Sequence, residues 1–232
     1  MSTAQIQLES RHEHPLGPLS KADGDTASCA QVIGEICGLN WSALSRDELI
    51  DVAWAYYFFS VQFCENVGIA RRLYPEDKRL EELDRGERNT DNLSPCPGVV
   101  AVGEKVDHDE FMRRTLQLET IDDLRRHRLL TIGNAYLNKV RASDDTTRAL
   151  SLPSYEDGGL EKVFRSILQA QHWDGPLLQA FQHFLVGHIA LDSDPKEGHG
   201  SLCRHLAPNA QVLGLWAAFK QSLIAAAPGL AR

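Results

Sequence analysis

The sequence predicts an all-α fold, because several segments repeat apolar residues at helical spacing and none shows sustained strand alternation. The clearest helical segment places Trp54, Phe58 and Val61 on one face. The length of 232 residues and the hydrophobic fraction of 43% suit one soluble domain with one sizeable core. We therefore expect a single helical domain over residues 29–232, built as a bundle of about seven or eight helices.

The first expected elements are a flexible arm and a long helix. Residues 1–28 are rich in Ser, Gly, His and charged residues, which is typical of a flexible N-terminal arm. The long helix begins after the capping box Ser45-Arg-Asp-Glu48 and carries Glu65 on the same face as Trp54. Glu65 is therefore either a functional acid or the point at which this helix meets solvent.

The middle of the chain combines helices with one long loop. A charged helix is expected over residues 76–83, and a loop dense in turn-forming residues over 86–98. Long ordered loops in compact domains are often functional. A second capping box, Asp107-His108-Asp-Glu110, places His108 in the first turn of a helix that continues, with one break, to residue 140.

The C-terminal half is expected to contain a polar linker and further helices. The linker prediction depends on the polar run that includes Pro153. In order, these elements are the linker 144–154, a helix over 155–171, a helix from Asp174 through His188, a segment over 199–206 and a final helix over 210–226.

The composition argues against several classes of function. A net charge of −8 argues against a nucleic-acid partner, which usually meets a basic face. No apolar run reaches about 18 residues and no signal-peptide pattern is present, so we expect neither a membrane span nor secretion. Five scattered cysteines without a CxxC pair favour reduced thiols in the cytoplasm over disulfides or a thiolate zinc site.

The most informative segment runs from His188 to His199 and follows the apolar run 181–187. Buried ionisable groups are costly unless they are paired or bind a metal. His188 and Asp192 are four residues apart, so they share one helix face at about 6 Å. Imidazole with carboxylate is the ligand set of non-heme iron, with zinc and manganese as the rival metals.

His199 can join this pair only if the helix breaks. His199 follows His188 by eleven residues, and a straight helix of that length rises about 16 Å, too far for one metal site or two adjacent metals. Pro195 disfavours helix at Asp194, and Gly198 permits a sharp reversal. We therefore predict that residues 195–198 fold back and return His199 to the site.

Other segments must complete the ligand set, and each candidate also has a purely structural interpretation. Glu156 lies at the start of a core-facing helix, where a carboxylate can act as a helix-dipole partner. His108 can be an exposed first-turn residue. Glu87, in the turn Gly-Glu-Arg-Asn, can be a surface charge.

Together these residues resemble the heme-oxygenase-like diiron oxidases and oxygenases, especially a bacterial branch of that superfamily. The resemblance covers most of the chain from about residue 50 onward. His188-Ile-Ala-Leu-Asp192 is similar to the family's C-terminal H-x3-D element. Three further segments are similar to ligand-supplying elements of the family. Tyr155-Glu156-Asp157 is similar to the element with a second Glu, Asp107-His108 to the element with the first His, and Gly86-Glu87 to the element with the first Glu.

The resemblance implies two irons held by three imidazoles and three carboxylates. The implied ligands are Glu87, His108, Glu156, His188, Asp192 and His199. Two spacings depart from the family pattern, because His199 lies further beyond Asp192 than usual and the gap from Glu87 to His108 is longer. Glu65 is therefore an alternative or an additional carboxylate.

The function implied by the resemblance is that of a cytoplasmic non-heme diiron oxidase or oxygenase. Such an enzyme uses O2 to oxidise a small organic substrate, here resembling an amino acid, an amine or a fatty acid, in specialised biosynthesis. A homodimer is the assembly considered. Two alternatives stay open: a metal-free helical protein that binds a small molecule or a partner, and a mononuclear zinc or manganese hydrolase with three of these ligands.

Overall fold

A computed structural model describes residues 22–192 and 198–231, without the side chains of residues 22–28 and 192. Within these ranges the chain is helical, and its extended segments form two isolated β-bridges, so the all-α class is confirmed. Two short 3-10 helices are also present: Trp41–Ala43 lies between the first two α-helices, and Pro228–Ala231 follows the last one. The α-helices are α1 (Ala22–Cys37), α2 (Arg46–Leu73), α3 (Lys78–Glu87), α4 (His108–Thr115), α5 (Asp123–Arg141), α6 (Asp145–Leu150), α7 (Leu152–Glu156), α8 (Gly159–Ile167), α9 (Pro176–Asp192), α10 (His199–Cys203) and α11 (Val212–Ala226).

Helix α2 forms the centre of the bundle and packs against α3, α4, α5, α6, α9 and α11. Its N-terminus carries the predicted capping box, in which the Ser45 side chain accepts from the Glu48 backbone N–H and the Glu48 carboxylate accepts from the Ser45 N–H. The Tyr56 ring lies against Phe164, Phe181 and Phe184. Apolar residues around most of its circumference are buried, which is typical of a helix inside a bundle.

The predicted linker over residues 144–154 is wrong, because that segment forms α6 and α7. Asp144 caps α6 by accepting a hydrogen bond from the Thr147 N–H. Pro153 lies in the first turn of α7, where a missing N–H costs nothing. The helix expected over 155–171 is also broken, because Gly158 adopts a positive φ of 83° and separates α7 from α8. Glu156 thus lies at the C-terminal end of a helix.

Two predictions near helix N-termini need correction. Helix α1 begins at Ala22, so its backbone covers residues 22–28 of the expected arm, while residues 1–21 lie outside the described residues. Burial of Ile33 and Ile36 on one face of α1 accounts for this helix. At α4, Asp107 forms no side-chain cap; its carboxylate instead accepts from the Asn89 N–H at 2.7 Å.

The described helices include none that is both long and apolar enough to cross a membrane.

Candidate metal centre

Five of the six residues predicted as ligands meet at one buried point of the bundle. Each comes from a different helix, and each is between 2% and 7% exposed. They are Glu87 of α3, His108 of α4, Glu156 of α7, His188 of α9 and His199 of α10. The sixth, Asp192, ends α9, and its side chain lies outside the described part of the structure.

The five side chains form two groups that share Glu87. One group is Glu87, His108 and His188, and the other is Glu87, Glu156 and His199; within each, one donor atom per residue lies within 4.8 Å of the others. Glu87 Oε2 is 2.6 Å from His108 Nδ1, while Glu87 Oε1 is 2.9 Å from His199 Nδ1. A carboxylate that offers one oxygen to each group has the arrangement of a bridge between two cations.

Glu87 reaches the interior because it continues the buried face of α3. Leu80, Leu83 and Glu87 recur at helical spacing, and all three are buried. The sequence-based expectation of a turn at Glu87 is therefore wrong, since α3 extends through this residue. The sequence signal for this extension was the amphipathic pattern of α3 itself, which Glu87 continues.

His199 lies at the site beside Glu87 and Glu156, while residues 195–197 of the predicted reversal lie outside the described residues. Helix α9 ends at Asp192, Gly198 is extended, and α10 begins at His199. Two glycines allow α10 to pack closely against its neighbours. A Cβ on Gly86 would lie 2.7 Å from His199 Nε2, and a Cβ on Gly200 would lie 2.8 Å from the Glu156 carbonyl oxygen. His199 Nδ1 then lies 3.4 Å from Glu156 Oε2. His188 and His199 consequently belong to different groups.

The electrostatics of the group around His188 favour a neutral imidazole. Burial, together with the nearby His108, lowers the pKa of His188 to about 3. Its Nδ1 lies 2.9 Å from the Phe184 carbonyl oxygen, which can only accept, so Nδ1 carries the hydrogen. The lone pair of Nε2 therefore faces His108 Nδ1 at 3.0 Å.

The two buried glutamates respond differently to their surroundings. Burial raises the pKa of Glu87, but the charges and hydrogen bonds of His108 and His199 outweigh burial and hold that pKa well below its usual value. Burial raises the pKa of Glu156, and its hydrogen bond with His199 only partly offsets that effect. Burial lowers the pKa of His199, but both carboxylates together raise it well above its usual value.

The carboxylate oxygens of this centre are poorly satisfied by protein donors. Glu87 Oε1 and Glu156 Oε2 are buried, and among the described residues neither accepts a well-aligned hydrogen bond. Both lie within ion-pair distance of His199 Nδ1, so the distances are short but the directions are poor. Buried anionic oxygens of this kind are stabilised by a cation, and the donor set fits a metal ion.

A small aromatic cavity of about 10 Å³ adjoins the two groups. Its walls include Tyr56, Phe59, Phe63 and Phe184, together with ligand residues. A cavity needs about 10–15 Å³ to hold one water, so this space suits a molecule no larger than water.

The remaining candidates lie elsewhere. Glu65 binds Arg141 and Arg148 in half-buried ion pairs, and it belongs to neither potential metal group among the described residues, so it does not replace Glu87. His183 Nε2 lies 2.9 Å from the Leu93 carbonyl oxygen. Sequence reasoning missed two residues beside the ligands: Gly86 lies against the His199 ring, and Asn92 contacts His108. The turn-rich loop after α3 was the only sequence feature that pointed to this region.

Comparison with protein-family models, curated proteins and solved structures found no match to this chain. The chemistry of the centre is therefore inferred from its own residues.

The lowered pKa of His188 predicts an acid-sensitive metal-free protein. As pH falls from about 6 to about 5, the unfolded chain protonates this imidazole near pH 6.5 and the folded chain does not. The free energy of unfolding should therefore fall by up to about 1.4 kcal/mol per pH unit through this residue. The measurement is urea unfolding in the presence of a chelator, for the unaltered chain and for His188→Gln.

The variant isolates His188, because the raised pKa of Glu156 acts in the opposite direction in both proteins. The depressed pKa of Glu87 contributes stability that is lost only below about pH 4.5, outside this window. Equal pH slopes for the two proteins would contradict a buried neutral His188.

Proposed function

We propose that this chain is a dinuclear non-heme iron oxidoreductase that activates O2 and has a heme-oxygenase-like fold. The observation that carries the proposal is the position of Glu87, whose two oxygens face two separate groups of ligand atoms. A mononuclear site would use only three of these side chains, and the remaining buried carboxylate or imidazoles would stay uncompensated.

The two groups would hold one metal each. His108 and His188 would supply nitrogen to the first, Glu156 and His199 would supply oxygen and nitrogen to the second, and Glu87 would contribute one oxygen to each. Asp192 is proposed as a further ligand from the sequence resemblance. Mixed imidazole and carboxylate ligands suit iron, with manganese and zinc as rivals.

Two ferrous ions bound here would supply the electrons that reduce O2, and a small organic substrate would be oxidised in turn. The aromatic wall of the cavity limits the water that can reach the reacting atoms. Neutral His188 offers the Nε2 lone pair without first losing a proton. The raised pKa of Glu156 allows its carboxyl to hold a proton until a cation binds and displaces it.

The class of organic substrate follows only from the sequence resemblance: an amino acid, an amine or a fatty acid. The cavity beside the ligands is too small for such a molecule in this conformation, so binding it requires side chains to move. A metal-free binding protein is the second candidate. The buried, poorly hydrogen-bonded oxygens of Glu87 and Glu156 argue against it, because poor hydrogen bonding at a buried carboxylate is costly to a fold that binds no metal.

The direct test is anaerobic titration of the metal-free chain with Fe(II), followed by exposure to O2. We expect about two irons per chain and a transient visible absorption band after O2 is added. His188→Ala should lower the iron content, because the first group loses a nitrogen ligand. His172→Ala, which alters an exposed histidine, is the matched control. The proposal would be rejected if the unaltered chain bound iron no more strongly than the His188→Ala variant does.

A further inference from the structure

Asn92 connects the loop after α3 to the imidazole of His108. Its Nδ2 donates to the Gly86 carbonyl oxygen at 2.9 Å, and its Oδ1 lies 3.0 Å from His108 Nε2. The Gly86 carbonyl can only accept, so the NH2 group of Asn92 must face it and Oδ1 must face the imidazole.

The hydrogen-bond pattern fixes which nitrogen of His108 carries a hydrogen. An amide oxygen can only accept, so His108 Nε2 must donate to it. His108 Nδ1 is then the atom directed at Glu87 Oε2, at 2.6 Å, and at His188 Nε2, at 3.0 Å. Without a metal, a hydrogen on Nδ1 is donated to the Glu87 carboxylate, and a bound metal ion would replace that hydrogen. His188 has the opposite arrangement, because the Phe184 carbonyl holds its hydrogen on Nδ1.

We propose that Asn92 is a positioning residue that keeps the hydrogen of His108 on Nε2 and thereby presents Nδ1 as the metal-binding atom. The inference rests on the proposed function for the metal, but the tautomer follows from Asn92 and Gly86 alone. Outer hydrogen-bond partners of metal-binding imidazoles fix the tautomer and the ring orientation, and their loss typically weakens metal binding about 10- to 100-fold.

Two variants separate this role from simple anchoring of the loop. Asn92→Asp keeps an oxygen acceptor for His108 and loses the donor to Gly86, whereas Asn92→Ala loses both. Because Asn92 is exposed on its outer side, water can partly replace the acceptor in the alanine variant. We therefore expect Asn92→Ala to weaken Zn2+ binding about tenfold, the low end of the range, and Asn92→Asp to bind like the unaltered chain.

Zn2+ is the probe because it is diamagnetic and allows ¹⁵N NMR of labelled histidines. The His108 signals are assigned by their loss in His108→Gln. We expect a protonated, pyrrole-type Nε2 with and without Zn2+, and a zinc-shifted Nδ1 in the loaded protein. Thermal unfolding without metal should show a loss of stability for both Asn92 variants, since both lose the bond to Gly86, and a larger loss for Asn92→Ala, which also loses the bond to His108.

Three outcomes decide the proposal. A pyridine-type Nε2 on His108 overturns it, and so does an Asn92→Asp variant that loses as much zinc affinity as Asn92→Ala. If the unaltered chain binds no metal, the proposed function fails. In that case the Nε2 signal of the metal-free protein still decides whether Asn92 sets the tautomer.

Discussion

Glu87→Gln is expected to abolish binding of both metal ions at once. Glu87 is the only described residue common to the two groups, with one oxygen directed at each. Glutamine keeps the shape of the side chain, but it removes the negative charge and replaces one oxygen by an NH2 group, which cannot bind a cation. Removing a residue that only hydrogen-bonds to a metal ligand typically lowers metal affinity about 10- to 100-fold. Removing a ligand shared by both ions should therefore lower metal affinity by more than about 100-fold.

The measurement is metal content after equilibrium dialysis against Fe(II) or Zn2+ under anaerobic conditions. Glu82→Gln is the matched control, because Glu82 belongs to the same helix and is exposed. Glu156→Gln provides the contrast, since Glu156 belongs to one group only, and we expect about one metal ion per chain to remain.

The two glutamate variants distinguish a shared bridge from two independent sites. If Glu87→Gln keeps about one ion per chain, as Glu156→Gln should, then Glu87 serves only one group and the dinuclear proposal is wrong. Circular dichroism of the metal-free variants must show the helical content of the unaltered chain, so that loss of metal is not loss of fold.

Local signals in the sequence were enough for the all-α class and for some of the helices. The Ser45 capping box and the apolar face of α2 are patterns within one segment, and both appear in the structure as predicted. The need for a helix break before His199 followed from distance, because a straight helix beyond His188 could not bring the two imidazoles to one centre, and Pro195 and Gly198 indicated where the break lies.

The features that sequence reasoning missed depend on contacts between distant segments or on single dihedral angles. The break between α7 and α8 depends on the positive φ of Gly158, which a glycine permits but does not require. The role of Asn92 depends on His108, which lies 16 residues away in sequence. Glu87 was placed in a turn because Gly86 precedes it, and glycine more often interrupts a helix than forms part of one.

The second large effect concerns Gly86, whose missing side chain makes room for His199. A Cβ at residue 86 would lie 2.7 Å from His199 Nε2, closer than packed atoms tolerate. His199 cannot easily shift, because the backbone of Gly200 packs against the Glu156 carbonyl oxygen. We therefore expect Gly86→Ala to displace the His199 ring and to lose the metal held by Glu87, Glu156 and His199.

The other group should survive this substitution, because the three atoms nearest to the new methyl group all belong to the His199 ring. The expected result is about one metal ion per chain instead of two, with its affinity close to that of the first ion in the unaltered protein. The Gly86 carbonyl still accepts from Asn92, so the tautomer of His108 should not change.

Gly214→Ala is the matched control for the effect of alanine on a helix. Gly214 lies in α11, and a Cβ there would meet nothing within 4 Å. Its replacement should stabilise the protein by up to about 1 kcal/mol through helix propensity and leave two metal ions bound. At Gly86 the same propensity gain is opposed by overpacking, which typically costs about 1–3 kcal/mol.

Metal content and unfolding therefore have to be measured together for the Gly86 variant. A loss of one ion with near-unchanged stability would identify the contact between α3 and α10 as the feature that forms the second half of the centre. If Gly86→Ala binds two ions with unaltered affinity, His199 does not hold a metal, and the contact between α3 and α10 does not form the second half of the centre.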